Sequence, residues 1–360
     1  MVRRGSFASW LALLVICTTN GSQAESSFVT FESGQVRPLA LSENGNLLYA
    51  VNTPDNRLEV FRVQRGSLLP LASIPVGMEP VAVAVAPGGD IWVVNKLSDS
   101  VSIIRRDALG TRVVRTLQVG DEPQDIVFAG PDRRYAFVSA ARRDFARPST
   151  QLIGNADVWV YDNTTILDGS DPPAPVTRIN LFTDVPRGLA VSADGGTVYA
   201  ASHLSGNGTT SIAQTTVQSD MLPPFTNADG VEAPSTALIL RQEGGRWLDA
   251  LDRDWSAAVP YTLTDDDLFE IDATADVPEL ARAVPGVGTV LFNVAVNPAN
   301  GKVYVSNLAS RNDVRFEGPG EFFDSTVRGD VARNRISIID QGTVAPRHLN
   351  KHIDFSRALG

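Results

Sequence analysis

Cysteine is nearly absent. The single one, Cys17, lies in the apolar run of residues 10–17, behind Arg3 and Arg4 and ahead of a small-residue site, Ser22-Gln23-Ala24. Charged, then apolar, then small is the order of a secretory signal. Ile16 stands before Cys17 where a lipoprotein site needs a small residue, so cleavage after Ala24 is expected. Residues 1–24 are therefore read as a signal peptide, and the protein as exported, periplasmic or extracellular. The remainder then holds no cysteine, so it forms no disulfide and carries no Cys-x-x-Cys-His haem attachment site. Its stability must come from an apolar core.

Long apolar runs are missing as well. The run at 10–17 is too short to cross a bilayer, and no second run could. Positive charge is scarce: 31 Lys and Arg stand against 41 Asp and Glu, for a net charge of −10. An acidic surface repels phosphate backbones, which argues against a nucleic-acid partner. Histidine occurs three times, and no Gly-x-Ser-x-Gly, His-Glu-x-x-His or phosphate loop is found. No cofactor is expected.

What the chain does contain is repetition. Pro38, Pro80, Pro123 and Pro186 each open an apolar run: PLALSENG, PVAVAVAPGG, PQDIVFAGPD and PRGLAVSADG. A fifth, FNVAVNPANG, has Asn293 near the proline position. Each run ends in Gly, Asp, Asn or Pro, a turn signal. Second runs follow (LLYAVN, DIWVVN, YAFVSA, TVYAAS, KVYVSN), then third runs (RLEVFRV, SVSIIRR, DVWVYD, DLFEID, RISIID). They are short and rich in Val, Ile, Tyr and Trp, so they read as strands. Weaker fourth runs precede the next proline: LLPLASIPVG, TRVVRTLQVG and PVTRINLFTDV, with HLNKHIDFS in the fifth unit. Four strands per unit at this spacing predict an all-β chain, a β-propeller of four-stranded antiparallel blades over residues 37–360. One blade cannot cover both of its faces, and stacking blades around an axis does.

The stretch VGMEPVAVAVAPGGDIWVVNKLSDSVSIIRR resembles the YVTN-repeat β-propeller family: Gly-x-x-Pro, an apolar strand, a turn, then Tyr-Val-Thr-Asn. Trp92-Val93-Val94-Asn95 and Tyr304-Val305-Ser306-Asn307 sit on that signature, whereas Tyr199-Ala200-Ala201-Ser202 and Phe137-Val138-Ser139 depart from it at the Asn. The resemblance implies fold more than activity. Relatives usually form seven blades and five units are visible here, so the reading is an incomplete seven-bladed ring, the front part of a longer protein. The rival is a five-bladed ring closed by residues 28–31, Phe-Val-Thr-Phe, within an N-terminal segment 25–36. RNDVRFEGPG and PRHLNKHID are similar to segments of exported propellers that continue into a c-type cytochrome module, which implies a c-type cytochrome as a partner. Other relatives are lactonases working at the channel mouth, which implies a hydrolase as an alternative.

The link between second and third strands is short in units 1 and 2 and long afterwards, at 141–157, 203–266 and 308–334. The 203–266 segment includes a private hairpin, TALILRQEGGRWLDAL. Equivalent links leave a propeller on one face, so the three should crowd one rim, and long loops so placed are commonly functional. They carry Arg142, Arg143, Arg147, Arg311, Arg315, Arg328 and Arg333. With His203, these form a candidate surface for an anionic ligand or an acidic protein partner. The alternative is that the arginines pair with Asp144, Asp313, Glu317, Glu321 and Asp330 in their own loops. His203, without a companion motif, fits a loop hydrogen-bonder better than a metal ligand or base. His348 and His352 lie on an expected strand, too far apart to chelate. Asp265-Asp266-Asp267 lacks the Asp-x-Asp-x-Asp-Gly calcium pattern and reads as a solvated turn.

Overall fold

The computed structural model describes residues 34–141, 156–168, 173–217, 238–249, 251–311 and 332–353. The repeat units become blades, each a sheet whose strands follow chain order from the axis outwards. Blade 1 is β1 (Leu39–Leu41), β2 (Leu47–Asn52), β3 (Arg57–Gln64) and β4 (Ser67–Pro75). Blade 2 is β5 (Pro80–Val85), β6 (Ile91–Asn95), β7 (Ser100–Asp107) and β8 (Gly110–Gln118). Blade 3 is β9 (Asp125–Ala129), β10 (Tyr135–Ala140), β11 (Ala156–Asp162) and β12 (Thr177–Leu181). Blade 4 starts with β13 (Pro186–Val191) and β14 (Thr197–Ser202). It is then interrupted by β15 (Thr209–Ile212), β16 (Leu238–Glu243) and β17 (Arg246–Leu248), and resumes with β18 (Asp266–Asp272) and β19 (Glu279–Pro285). Blade 5 is β20 (Val290–Val296), β21 (Val303–Ser310), β22 (Ala332–Asp340) and β23 (Thr343–His348). All pairings in these sheets are antiparallel.

The fifth blade departs from the sequence reading in one respect. Its outer strand is Thr343–His348, not HLNKHIDFS, because Gln341 and Gly342 both take positive φ and turn the chain tightly after Asp340. The β21–β22 ladder also runs further than expected, pairing Ser310 with Ala332 and placing Arg333 opposite Ala309 within the sheet.

Apolar cores lie between consecutive blades. Tyr49, Leu58, Val60, Val83 and Ile91 join blades 1 and 2. Trp92, Val94, Ile103, Phe128 and Val138 join blades 2 and 3, with the Trp92 and Phe128 rings edge to face at 5.5 Å. Phe137, Val160, Leu189 and Phe269 join blades 3 and 4, and Leu268, Leu291, Val294 and Val305 join blades 4 and 5. The strands nearest these cores are apolar on both sides: β6 and β9 are buried along their whole length, as doubly covered strands must be. Among the described residues no apolar cluster joins blade 5 to blade 1. The innermost strand of blade 1 instead leaves Leu39 and Leu41 more than half exposed, at 55% and 56%. Residues 28–31, read as a possible closing strand, lie outside the described residues.

The Gly-x-x-Pro motif has a packing role. A Cβ at Gly77, in Gly77-Met78-Glu79-Pro80, would stand 2.6 Å from Asn95 Nδ2, and one at Gly288, which holds the same place in blade 5 without the proline, would stand 2.6 Å from Asn307 Oδ1. Only glycine allows the inter-blade link to lie on the signature Asn. Asn95, fully buried, donates to the hydroxyls of Ser100 and Ser102, and Asn307 donates to Ser337 Oγ and the Val305 carbonyl. Where the Asn is missing, Gly120 instead lies against Ala140 and Trp159.

Residues 34–37 cross the axis. Val36 and Arg37 both donate their N–H to the Val81 carbonyl, and Asn293 donates to the Val36 carbonyl. Arg37 Nε and Nη2 donate to the two oxygens of Asp125, at 2.8 and 3.0 Å, and Nη2 also reaches the Leu189 carbonyl at 2.7 Å. Asp125 is fully buried and accepts the N–H of Leu189 as well. This bidentate pair ties the entry to blade 1 to blades 3 and 4.

Candidate functional site at the blade 4–blade 5 rim

In blades 2 to 5 the link after the second strand sits beside the link that enters the blade. Lys96 N–H donates to the Glu79 carbonyl, Gln124 N–H to Ser139, His203 N–H to Val185 and Thr289 N–H to Leu308. The second-to-third links of these blades therefore leave at the same end of their sheets. The roots of two long links meet: Leu204 bridges Val290, and Asn207 Nδ2 donates to the Ser310 carbonyl at 3.3 Å.

The link from His203 to Asp265 contains a small sheet of its own, with order β15-β16-β17. It has a separate core of Ile212, Val217, Leu238, Leu240, Trp247 and Val259. The expected hairpin is β16–β17, and β15 with the short helix Gln214–Val217 completes the unit. Asp249, buried at its base, accepts from Arg253, Trp255 and Leu251.

Arg142, Arg143, Arg147, Arg315 and Arg328 lie outside the described residues. Arg311 is described. At the end of β21 it lines an open cavity of about 590 Å³ between blades 4 and 5, with Asn207, Asp265, Asp267, Ser310 and Arg335. The sequence reading of 265–267 as a solvated turn is corrected here. Asp266 opens β18, and the Asp267 side chain turns inward to 1% exposure. Its carboxyl accepts from Ser205 Oγ and from the N–H groups of Val287 and Gly288. Burial outweighs these bonds, and nearby Asp265 adds to it, so the Asp267 pKa is pushed up to about 6. Arg335, whose pKa burial lowers, donates to the Val287 carbonyl and to Asn307.

His203 is a hydrogen-bonder, as its isolation in the sequence suggested. Its Nδ1 lies 3.0 Å from the Leu291 carbonyl, which requires the proton on that nitrogen and leaves Nε2 for another partner. Burial lowers its pKa. The Leu291 carbonyl opposes that shift, and the positive charges of Arg187 and Lys96 reinforce it. Those two cations, on blades 4 and 2, were not singled out by sequence. Arg187 sits in the β13 run PRGLAV, where nothing distinguishes it from a surface arginine. A second cavity, about 650 Å³, lies along the axis between blades 1 and 4 at the opposite end of the strands, above the Arg37–Asp125 pair and ringed by Asp132, Arg133 and Asp194. Among the described residues no group of three or more His, Cys, Asp or Glu side chains is placed to hold a metal.

No family model matches this sequence, and no curated protein is similar enough to be matched. Solved structures do match. Hydrazine synthase of Kuenenia stuttgartiensis is similar with a TM-score of 0.54 and 18% identity, over 94% of this chain and 72% of that one. Virginiamycin B lyase from Staphylococcus aureus matches at 0.43 and 10%, over 87% of this chain and 69% of that one. A gluconolactonase from Xanthomonas campestris matches at 0.42 and 13%, over 88% and 76%. At such identities the likeness concerns fold, and the fold is that of a propeller.

Proposed function

We propose that this chain is an exported propeller of the YVTN-repeat type, a binding or scaffold protein that engages its partner on the face bearing the long links. One observation carries the reading: the extra chain length is spent at one point of the repeat, and the roots of two of those links touch through Leu204, Val290, Asn207 and Ser310. Length added at equivalent positions of a rigid scaffold is how binding surfaces are built on propellers and solenoids. The partner we propose is a c-type cytochrome, on the resemblance of RNDVRFEGPG and PRHLNKHID. The arginines at 142, 143, 147, 311, 315 and 328 would meet acidic groups on it.

Purification from the source, with bound proteins identified by mass spectrometry, followed by affinity measurement, tests this. Ala at Arg142, Arg143 and Arg315 together should weaken the partner about tenfold or more. Unchanged affinity ends the proposal. A second reading, a lactonase-type hydrolase, is favoured by Asp267, a buried carboxyl with raised pKa lining an open cavity beside Arg335. It requires that the protein hydrolyse a sugar lactone and that Asp267→Asn abolish turnover while leaving the fold intact.

A further inference from the structure

Several arginines among the described residues are paired with a carboxylate, and half-buried Arg335 donates to Asn307 and to the Val287 carbonyl. Arg37 has Asp125, Arg105 has Asp90, Arg134 has Asp162, Arg253 has Asp249 and Arg282 has Glu270. Arg187 is different. It is half-buried, burial lowers its pKa, and no ion pair is formed with it among the described residues. Its Nε is buried and has no acceptor among the described residues. Its Nη2 makes one long bond, 3.3 Å, to the Gly34 carbonyl. Desolvating a guanidinium without a counter-charge is costly, and five N–H donors need acceptors. An anion bound here would supply both the acceptors and the counter-charge.

The neighbours of Arg187 suit one. Pro186 pairs with Ser202, and a register shift at 186/188 displaces Arg187 from the ladder towards the rim. His203 follows Ser202 and is fixed between two blades by three backbone bonds: its N–H to Val185, Leu291 N–H to its carbonyl, and Nδ1 to the Leu291 carbonyl. Lys96, salt-bridged to Glu122 at 3.6 Å, adds positive charge from blade 2. The Phe292 ring lies 6.1 Å from the His203 ring, inclined by 60°, and is 41% exposed. An apolar surface thus adjoins a fixed cationic one.

We propose that Arg187 and His203 form an oxyanion site for a small organic carboxylate, the carboxylate on the guanidinium and on His203 Nε2, the apolar end on Phe292. A planar guanidinium matches a carboxylate through two parallel N–H donors. Once the anion is present, His203 holds a proton on both nitrogens and donates with Nε2. This rests on the reading that the long-link face is the binding face, and names a ligand class and two residues for it.

Calorimetric titration of the full chain with benzoate, with benzyl alcohol as the neutral counterpart, tests it. Saturable one-to-one binding of benzoate and none of benzyl alcohol is expected. Arg187→Gln should weaken benzoate about tenfold or more. Phe292→Ser, at an exposed position that does not threaten folding, should weaken benzoate several-fold and leave acetate unchanged. The His203 ring resonances should shift on adding benzoate to the native chain. No saturable binding, equal binding of benzyl alcohol, or benzoate affinity unaltered in Arg187→Gln and His203→Gln overturns the site. Absent benzoate binding with partner affinity still sensitive to Arg142, Arg143 and Arg315 removes this site and keeps the face. The converse removes the face and keeps the site.

Discussion

Asp267 is the residue whose chemistry departs furthest from its sequence context. The folded chain keeps its proton up to about pH 6, whereas an unfolded aspartate releases it near 4. Between those values the folded state binds more protons, so this group's contribution to stability falls as pH rises from 4 to 6, and the loss is complete above that. The difference is about 3 kcal/mol. Urea midpoints at pH 4, 5, 6 and 7 should show Asp267→Asn gaining on the native chain across that range. Gly288 supplies a second test. Alanine there would press against Asn307, and about 1–3 kcal/mol should be lost, read as a lower thermal midpoint. The Asn was legible as part of the signature, but the glycine was not marked by Gly-x-x-Pro, since Leu291 stands where the proline would be. Their mutual contact was not legible, because 19 residues of chain separate them and only the folded blade brings them together. Asp267 was misread for a similar reason: three consecutive acids look solvated until strand alternation turns the third one inward. Arg187 left no trace in the sequence, since an unpaired cation is defined by what fails to surround it.

At the scale of elements, alternation and turn residues located the blades well, and the one displaced strand is instructive. HLNKHIDFS has apolar residues at strand spacing, yet Gln341-Gly342 forms a two-residue turn that commits Thr343–His348 first. The turn outranked the pattern. The small sheet inside blade 4 was half legible: its hairpin stood out, while β15 pairs across a gap that no local pattern spans. Because its core is separate from the blade cores, it should unfold on its own. Leu240→Ala removes a fully buried side chain there and should cost about 2–5 kcal/mol. Hydrogen exchange should show β15–β17 losing protection while β13, β14, β18 and β19 keep theirs. Equal loss in both would show that the two cores unfold together.

At the scale of the molecule, apolar interfaces join consecutive blades among the described residues, and the polar crossing of residues 34–37 ties blade 1 to blades 2 to 5. Truncating Arg37 strands a fully buried carboxylate in contact with blades 3 and 4. Arg37→Ala should therefore cost about 3–5 kcal/mol, more than a surface ion pair could. Chemical denaturation would register it as a lower midpoint with unchanged slope. A fall under 1 kcal/mol would mean that the crossing is incidental to how the blades are held.

That crossing also constrains when the molecule can finish. Val36 leaves the ribosome early, and its acceptor bond waits for Asn293, 257 residues later. At bacterial-to-eukaryotic synthesis rates the interval is roughly 10 to 50 s. Val81, Asp125 and Leu189, the other partners of this crossing, are all made sooner. The Asn293 bond is therefore the one part of the crossing that cannot close until blade 5 begins, which makes it a latch between the entry segment and the fifth blade.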